Sequence, residues 1–294
     1  MTKSGSRAPH VLVYDSGVGG LSILDEIRLA HPGLKVSYLS DNDGFPYGRK
    51  PSTFVIERCL SVLKSFRSQT SSAADILVIA CNTASTLALP ALREEFSEPV
   101  VGVVPAIKPA AEYSANRYIG LLATPATIRR PYTQQLIQDF AKDCHLVMKG
   151  SSSLVDLAES KLRQAVVNRA ELRSVLRRFR EANAANPHPE KLDCLVLACT
   201  HFPLLADEIQ DFMGPQVRLL DSGEAIARRV GYWLSQLGLY TGSTAEAGDT
   251  WFTRESADTD MLARALKTRM LNPPGVLRAE HHQSLSSANK SAMK

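Results

Sequence analysis

Two short segments of the chain echo each other: "LVIACNTAS", Leu77 to Ser85, and "LVLACTHFP", Leu195 to Pro203. Each is a run of strand-forming aliphatic residues that stops at a cysteine. Polar side chains follow at once, Asn82 and Thr83 in the first copy, Thr200 and His201 in the second. The spacing places each thiol where a strand ends and a helix begins, and a helix N-terminus lowers a thiol pKa and favours the thiolate, the form that acts as nucleophile or base. Cys81 and Cys199 are therefore the candidate reactive groups. Cys59, Cys144 and Cys194 lack such surroundings and read as small buried apolar side chains.

Three chemistries could use the pair. A metal site would need three or four ligands, and Cys81, Cys199 and His201 are available, but neither a C-x-x-C pair nor the paired-His helix spacing of zinc motifs is present. A Cys–His hydrolase would need one thiolate, its imidazole and an oxyanion hole, which leaves the second thiol without a role. The third chemistry uses both thiols alike. Inverting the configuration at a carbon requires a proton taken from one face and another delivered to the opposite face, so one acid–base group must stand on each wall of a cleft. This third chemistry alone explains why there are two copies.

The remaining loops supply small polar groups. "DSGVGG", Asp15 to Gly20, is not a dinucleotide loop, because Ser22 stands where G-x-G-x-x-G needs its third glycine. It reads as a turn opening a helix, with the Asp15 carboxylate and Ser16 hydroxyl facing the cleft. "FPYG" brings Tyr47 and Gly48 behind a strand end, where they could close over a small ligand; "TPAT" begins at Thr124, and "DSGEA" repeats the Asp-Ser-Gly theme at Asp221. Each of these loops runs into a helix, whose first N–H groups and partial positive charge suit a carboxylate or phosphate. Asn82, Thr83 and Thr200 can cap helices and still point donors into the same space.

The elements that must hold these loops follow from periodicity. Apolar runs predict strands at Val11–Tyr14, Val36–Leu39, Ile76–Ala80, Val100–Val104, Ile119–Ala123, Leu146–Met148, Leu195–Ala198, Val217–Leu220 and Trp251–Thr253. Helical patterns fall between them at Thr53–Phe66, Ala84–Phe96, Thr127–Ala141, Leu154–Val167 and Ala225–Leu237. Strands without polar alternation, separated by helices, predict an α/β fold whose parallel sheets are covered on both faces, with ligands beyond the C-terminal strand ends. The internal echoes predict two similar lobes, each a mainly parallel sheet flanked by helices, with the active site in the cleft between them. Residues 1–99 and 214–271 are expected to form the first lobe, 100–213 the second, and 272–294 a mobile tail. Thr241 to Asp249 reads as a linker.

Composition excludes other classes. With 294 residues, 44% hydrophobic and 22% charged, the chain has the balance of a globular protein. A formal charge of +4 is mild, and no concentrated basic face argues for nucleic acid; "RSVLRRFR", Arg173 to Arg180, reads as the wet side of a helix. No run of about 18 apolar residues is present for a membrane span, and the N-terminus lacks the apolar core of a secretory signal. Five cysteines without a C-x-x-C pair predict reduced thiols and a cytoplasmic setting.

Taken together, "YDSGVGGLSIL", "PYG", "ACNTAS", "VVGVVPAIKPA", "GLLATPATI", "LVDLAE", "LACTHFPLL" and "DSGEAIARR" resemble the glutamate racemases of the cofactor-independent aspartate/glutamate racemase superfamily, from Val11 to Arg229. The resemblance implies that Cys81 and Cys199 are the catalytic cysteines, Cys81 acting on the D-substrate and Cys199 on the L-substrate. It implies auxiliary acid–base roles for Asp15, His201 and Glu159. Asp15, Ser16, Tyr47, Gly48, Asn82, Thr83, Thr124, Thr200 and His201 match substrate-binding positions. No cofactor or metal is implied, and the substrate is glutamate. "VVGVVPAIKPA" is similar to the subgroup that responds to UDP-N-acetylmuramoyl-L-alanine, and a homodimer is a further expectation. The departure is "DNDGFPYG", where Asp43 and Gly44 replace the more usual residues. Aspartate racemase, a thiol hydrolase and a non-catalytic glutamate-binding protein are the alternatives.

Such a reaction is difficult. An amino-acid α-carbon is a very weak acid, and a mismatch of roughly 10 pK units against a thiolate amounts to about 14 kcal/mol. Without a pyridoxal or metal motif, hydrogen bonds aimed at the substrate carboxylate must stabilise the carbanion. Ser16, Asn82, Thr83, Thr200 and the helix-start N–H groups are the expected donors.

Overall fold

The computed structural model describes residues 7–70, 73–185, 191–239, 242 and 246–279. In chain order, β1 (His10–Asp15), α1 (Leu21–Ala30), β2 (Lys35–Ser40), α2 (Ser52–Gln69), β3 (Ile76–Ile79), α3 (Asn82–Glu95) and β4 (Val100–Gly102) come first. Then follow α4 (Ile107–Tyr113), β5 (Tyr118–Ala123), α5 (Pro125–Arg129), α6 (Pro131–Phe140), β6 (His145–Gly150), α7 (Ser153–Leu162), α8 (Arg169–Ala185), β7 (Cys194–Ala198), α9 (Ala206–Met213) and β8 (Arg218–Leu220). The last elements among the described residues are α10 (Gly223–Gln236), β9 (Gly248–Phe252), α11 (Ala263–Lys267) and β10 (Leu271–Val276).

Two sheets result, one in the order β10-β9-β2-β1-β3-β4 and one in the order β6-β5-β7-β8. All their pairings are parallel. Parallel strands joined by helices are covered on both faces, which is why β1 and β5 are buried along their whole length and carry unbroken apolar runs. Each sheet has an apolar cluster on either side: Leu24, Ile27 and Val230 against one face of the larger sheet, Val55, Val62 and Leu92 against the other. Leu154, Leu176 and Phe179 cover one face of the smaller sheet, and Ile107, Ala110 and Ala141 the other. The α/β architecture with two helix-flanked parallel sheets is as expected.

Several boundaries fall elsewhere. β4 pairs with β3 and β8 with β7, so the chain leaves the larger sheet after Gly102 rather than at 99/100 and returns to it after Leu220 rather than at 213/214. The segment starting at Asn272 is not all tail: β10 runs to Val276 and Leu277 is buried. Its two prolines hide a strand, which is tolerated because β10 is an edge strand whose pairing shifts register before Pro274. Residues 280–294 lie outside the described residues, as do 241 and 243–245 of the expected linker; its last two residues begin β9. The expected helix over Thr127–Ala141 is broken at Arg130, which takes ψ 135° because Pro131 behind it disfavours helical geometry. The expected helix over Leu154–Val167 stops at Leu162. The basic run lies on α8 with Arg173, Arg177, Arg178 and Arg180 exposed and Leu172, Leu176 and Phe179 inward, a solvated helix face. Among the described residues no helix is long and apolar enough to cross a membrane.

Candidate active site

Register brings the loops together within each sheet. In the larger sheet Tyr14 pairs with Ile79, so the turn at Asp15–Ser16 lies beside Ala80–Cys81. In the smaller sheet Ala123 pairs with Ala198, so Thr124 lies beside Cys199. Both sets of C-terminal strand ends open onto one narrow cleft lined by residues of both sheets. Ser16, Tyr47, Gly48, Cys81, Asn82 and Thr83 line it from the larger sheet. Thr124, Cys199, Thr200 and His201 line it from the smaller.

Asp15 and Glu159 are not among the lining groups. Asp15 is fully buried behind the wall, where its carboxylate accepts hydrogen bonds from the Gly17 N–H (2.8 Å) and the Thr200 hydroxyl (3.0 Å). It thereby ties the two sheets together rather than facing the cleft. Burial raises its pKa; the nearby His201 charge and these two donors only partly offset that. Glu159, from α7, stands behind His201 and accepts from its Nε2 at 2.8 Å. The Val18 N–H donates to the same oxygen at 2.8 Å, and Arg163 pairs with the other. Burial works to raise the Glu159 pKa, but the His201 hydrogen bond and charge, Arg163 and the Val18 N–H together hold it down at about 2. His201 shows the opposite shift: burial works to lower its pKa, yet bonds to Cys199 and Glu159 lift it well above the ordinary imidazole value. With Nδ1 3.8 Å from the Cys199 Sγ and Nε2 on a carboxylate, the doubly protonated ring can donate to both partners.

The other thiol differs. Cys81 directly precedes α3, and the Ser16 hydroxyl lies 3.6 Å from its Sγ. The expected lowering of its pKa is overturned: burial and the Asp15 charge push it up to about 12, outweighing the Ala84 N–H and the Ser16 hydroxyl. Cys199 is followed by a turn and a short 3-10 segment, Phe202–Leu205, before α9, so it does not cap a helix directly. Cys59 and Cys194 are fully buried, as expected, while Cys144 is only half-buried.

Two glycines of "DSGVGG" are fixed by this packing rather than by a nucleotide. A Cβ on Gly19 would fall 2.4 Å from His201 Nδ1, and one on Gly17 would fall 2.4 Å from a Glu159 carboxylate oxygen. The Tyr47 hydroxyl is turned away from the cleft: it donates to Asp41 at 2.6 Å and contacts Tyr14. Asp41 in turn takes Arg58 in a two-pronged pair at 2.6 and 2.9 Å. The departure at Asp43 and Gly44 fits here, since Asp43 reaches Arg58 at 3.2 Å and a Cβ on Gly44 would fall 2.3 Å from Asp41 Oδ2. Asn82 is buried with its side-chain oxygen unpartnered, an acceptor left for a ligand. Among the described residues no three His, Cys, Asp or Glu side chains converge as a metal site would require.

Sequence reasoning missed several groups at the cleft, four of which make contacts there. Phe45 stacks obliquely on His201, its ring centroid 6.0 Å away. Thr127 shares the wall with Thr124, bonding its hydroxyl at 2.9 Å. Arg49 and Asp156 meet at 3.5 Å across the rim, one from each side, with both side chains more than half exposed. Phe45 lay within the quoted "FPYG" motif, but only its Tyr and Gly were read.

Comparison with known proteins gives a concordant result. Residues 25–230 match the Asp/Glu/hydantoin racemase family. The glutamate racemase of Pectobacterium carotovorum is 51% identical over 229 residues, 78% of each chain. That of Salmonella typhimurium is 53% identical over 226 residues, 77% of each. The crystal structure of Escherichia coli glutamate racemase in complex with L-glutamate and the activator UDP-MurNAc-Ala superposes with a TM-score of 0.84 at 41% identity, covering 94% of this chain and 100% of that one.

Proposed function

Because the chain belongs to the Asp/Glu/hydantoin racemase family, we propose that it interconverts L- and D-glutamate by proton transfer between the substrate α-carbon and two opposed cysteines. The observation that carries this reading is the presence of both thiols in one cleft, one from each sheet. A single-thiol hydrolase would have no use for the second.

For the L-to-D direction, Cys199 takes the α-proton and Cys81 delivers one to the opposite face. The asymmetry of the site supports that order. Cys81, with its pKa pushed up to about 12, rests as a thiol and is loaded to donate. Cys199 faces the imidazolium of His201, which Glu159 holds in place. In the reverse direction the roles exchange. A high thiol pKa also narrows the mismatch with the carbon acid, at the cost of a rarer thiolate.

Charge that develops on the substrate is met by preset donors. The Ser16 and Thr83 hydroxyls, the Asn82 amide and the first N–H groups of α3 surround the place where a carboxylate conjugated to the carbanion would sit. The unpartnered Asn82 oxygen suits the substrate ammonium group. Glutamate is preferred over aspartate as substrate on the strength of the relatives' names and their identity to this chain.

The D-enantiomer so formed would supply peptidoglycan synthesis in the cytoplasm. UDP-N-acetylmuramoyl-L-alanine would act as an activator, a reading supported by the 41% identical neighbour that carries it. The test is circular dichroism of L-glutamate incubated with the pure protein. The signal decays to zero as a racemate forms, faster with the muramoyl compound than without it. A stable signal under both conditions overturns the proposal.

A further inference from the structure

We infer that Arg163 is a positioning residue for the acid–base pair on the Cys199 side of the cleft, holding the Glu159 carboxylate against His201 and away from a neighbouring cavity. The inference rests on the proposed racemase reading for its kinetic consequences, though not for its geometry.

Glu159 and Arg163 lie one turn apart at the end of α7, an i,i+4 pair. The two oxygens of Glu159 have separate duties. Oε1 is shared by His201 Nε2 and the Val18 N–H, each at 2.8 Å, while Oε2 is taken by Arg163. On the side away from His201, Glu159 and Arg163 both border a second, open cavity that is roomier than the cleft, lined also by Gly17, Ser160, Phe252 and Arg254. A glutamate side chain facing that space has room to turn into it and would there regain water. Two features keep it in place. The Cβ-free Gly17 leaves room for Oε1, and the guanidinium of Arg163 grips Oε2.

Without that grip, the carboxylate is held by its Oε1 bonds alone and spends part of its time turned into the cavity, where the imidazole lacks the partner that fixes its Nδ1 on the Cys199 sulfur. The groups facing Glu159 are His201, Arg163, Asp15, Tyr38 and the Val18 N–H. Arg163 is thus a cation beside the carboxylate in addition to the imidazolium, and its removal moves the titration of Glu159 upward in pH.

Arg163 also caps α7, its backbone N–H and Nη1 reaching the Glu159 carbonyl at 3.3 and 3.0 Å. A test must separate that structural duty from positioning. Arg163→Gln and Arg163→Lys are compared with the unaltered protein by kcat, KM and the acid limb of the rate–pH profile. The side-chain carboxyl of Glu159 is followed by ¹³C NMR on the same samples. Arg163→Gln is expected to lower kcat on the order of tenfold, less than loss of an acid–base group itself, with KM unchanged because Arg163 does not line the substrate cleft. The acid limb and the Glu159 resonance move to higher pH together, and Arg163→Lys restores most of both. A lowered melting temperature with unaltered kcat and an unmoved Glu159 titration reduces Arg163 to a helix cap and overturns the inference. Should the unaltered protein fail to racemise glutamate, the functional proposal falls, while the NMR titration still decides whether Arg163 holds Glu159.

Discussion

Cys81 and Cys199 occupy like positions in like segments yet meet unlike surroundings, and that difference is what two-directional proton transfer needs. One is a buried thiol with a raised pKa beside Asp15; the other faces an imidazolium backed by a carboxylate. Cys81→Ala and Cys199→Ala are each expected to lose roughly 10³-fold or more in racemisation, at the upper end for a positioned acid or base. Thermal unfolding should change by only a few degrees, since each removes one small buried atom. Dichroism kinetics and melting curves on the same samples check both. The Glu159–His201 pair also has a signature in stability. Glu159 is held near 2, below its ordinary 4.5, so its contribution is present above about 4.5 and is lost as pH falls toward 2. His201 is raised, so its contribution is complete below 6.5 and is lost as pH climbs through its higher folded value. Glu159→Gln should therefore flatten the acid arm of a stability–pH curve obtained by denaturant titration. These roles were unequally legible. The repeated cysteine segments announce themselves by spacing; Glu159 was reached only through a family resemblance, and Arg163 not at all. Its sole local signal is the i,i+4 spacing from Glu159, which surface helices also show.

Strands and helices were easier to read than the joints between them. Unbroken aliphatic runs mark strands covered on both faces, and each was found to within a residue or three. What failed was proline in context: Pro131 broke a helix whose apolar period continued across it, and two prolines masked the edge strand β10. The joint that matters most for the cleft is the loop after β2. There Asp41 accepts from Arg58 of α2, from Tyr47 and from the Thr253 hydroxyl just past β9. One carboxylate thus gathers β2, α2 and β9 under the ring that lines the cleft. Asp41 is fully buried and Arg58 nearly so. Asp41→Asn removes the two-pronged partner of Arg58 and leaves it only the partly exposed Asp43 at 3.2 Å, so it is expected to cost about 3 kcal/mol, the low end for breaking a buried pair. It should also raise KM by loosening Tyr47. Denaturant unfolding and saturation kinetics measure the two effects; a variant as stable as the parent would remove Asp41 from this role.

The two sheets were foreseeable from the alternation of strand and helix, and their meeting at one cleft from the paired motifs. The places where the chain crosses between them were not, because β4 and β8 are three-residue strands whose partner no local pattern dictates. The larger sheet closes late, with β9 and β10 arriving from the far end of the sequence. A chain ending at Met270 would expose the pocket filled by Leu271 and Leu277, both nearly fully buried. At about 1.5–3 kcal/mol for each such side chain, the melting temperature should fall by roughly 10 °C; an unchanged value would show that β10 adds nothing. The larger claim is that opposed sheets each contribute one base to a shared substrate. Deuterium incorporation at the α-carbon, followed by mass spectrometry of the separated enantiomers early in turnover of L-glutamate in D₂O, decides it. Two bases predict D-glutamate that carries solvent deuterium from the first turnovers, while the remaining L-glutamate still holds its protium. D-glutamate that keeps the original hydrogen, or label rising equally in both enantiomers, would mean that a single group does all the work.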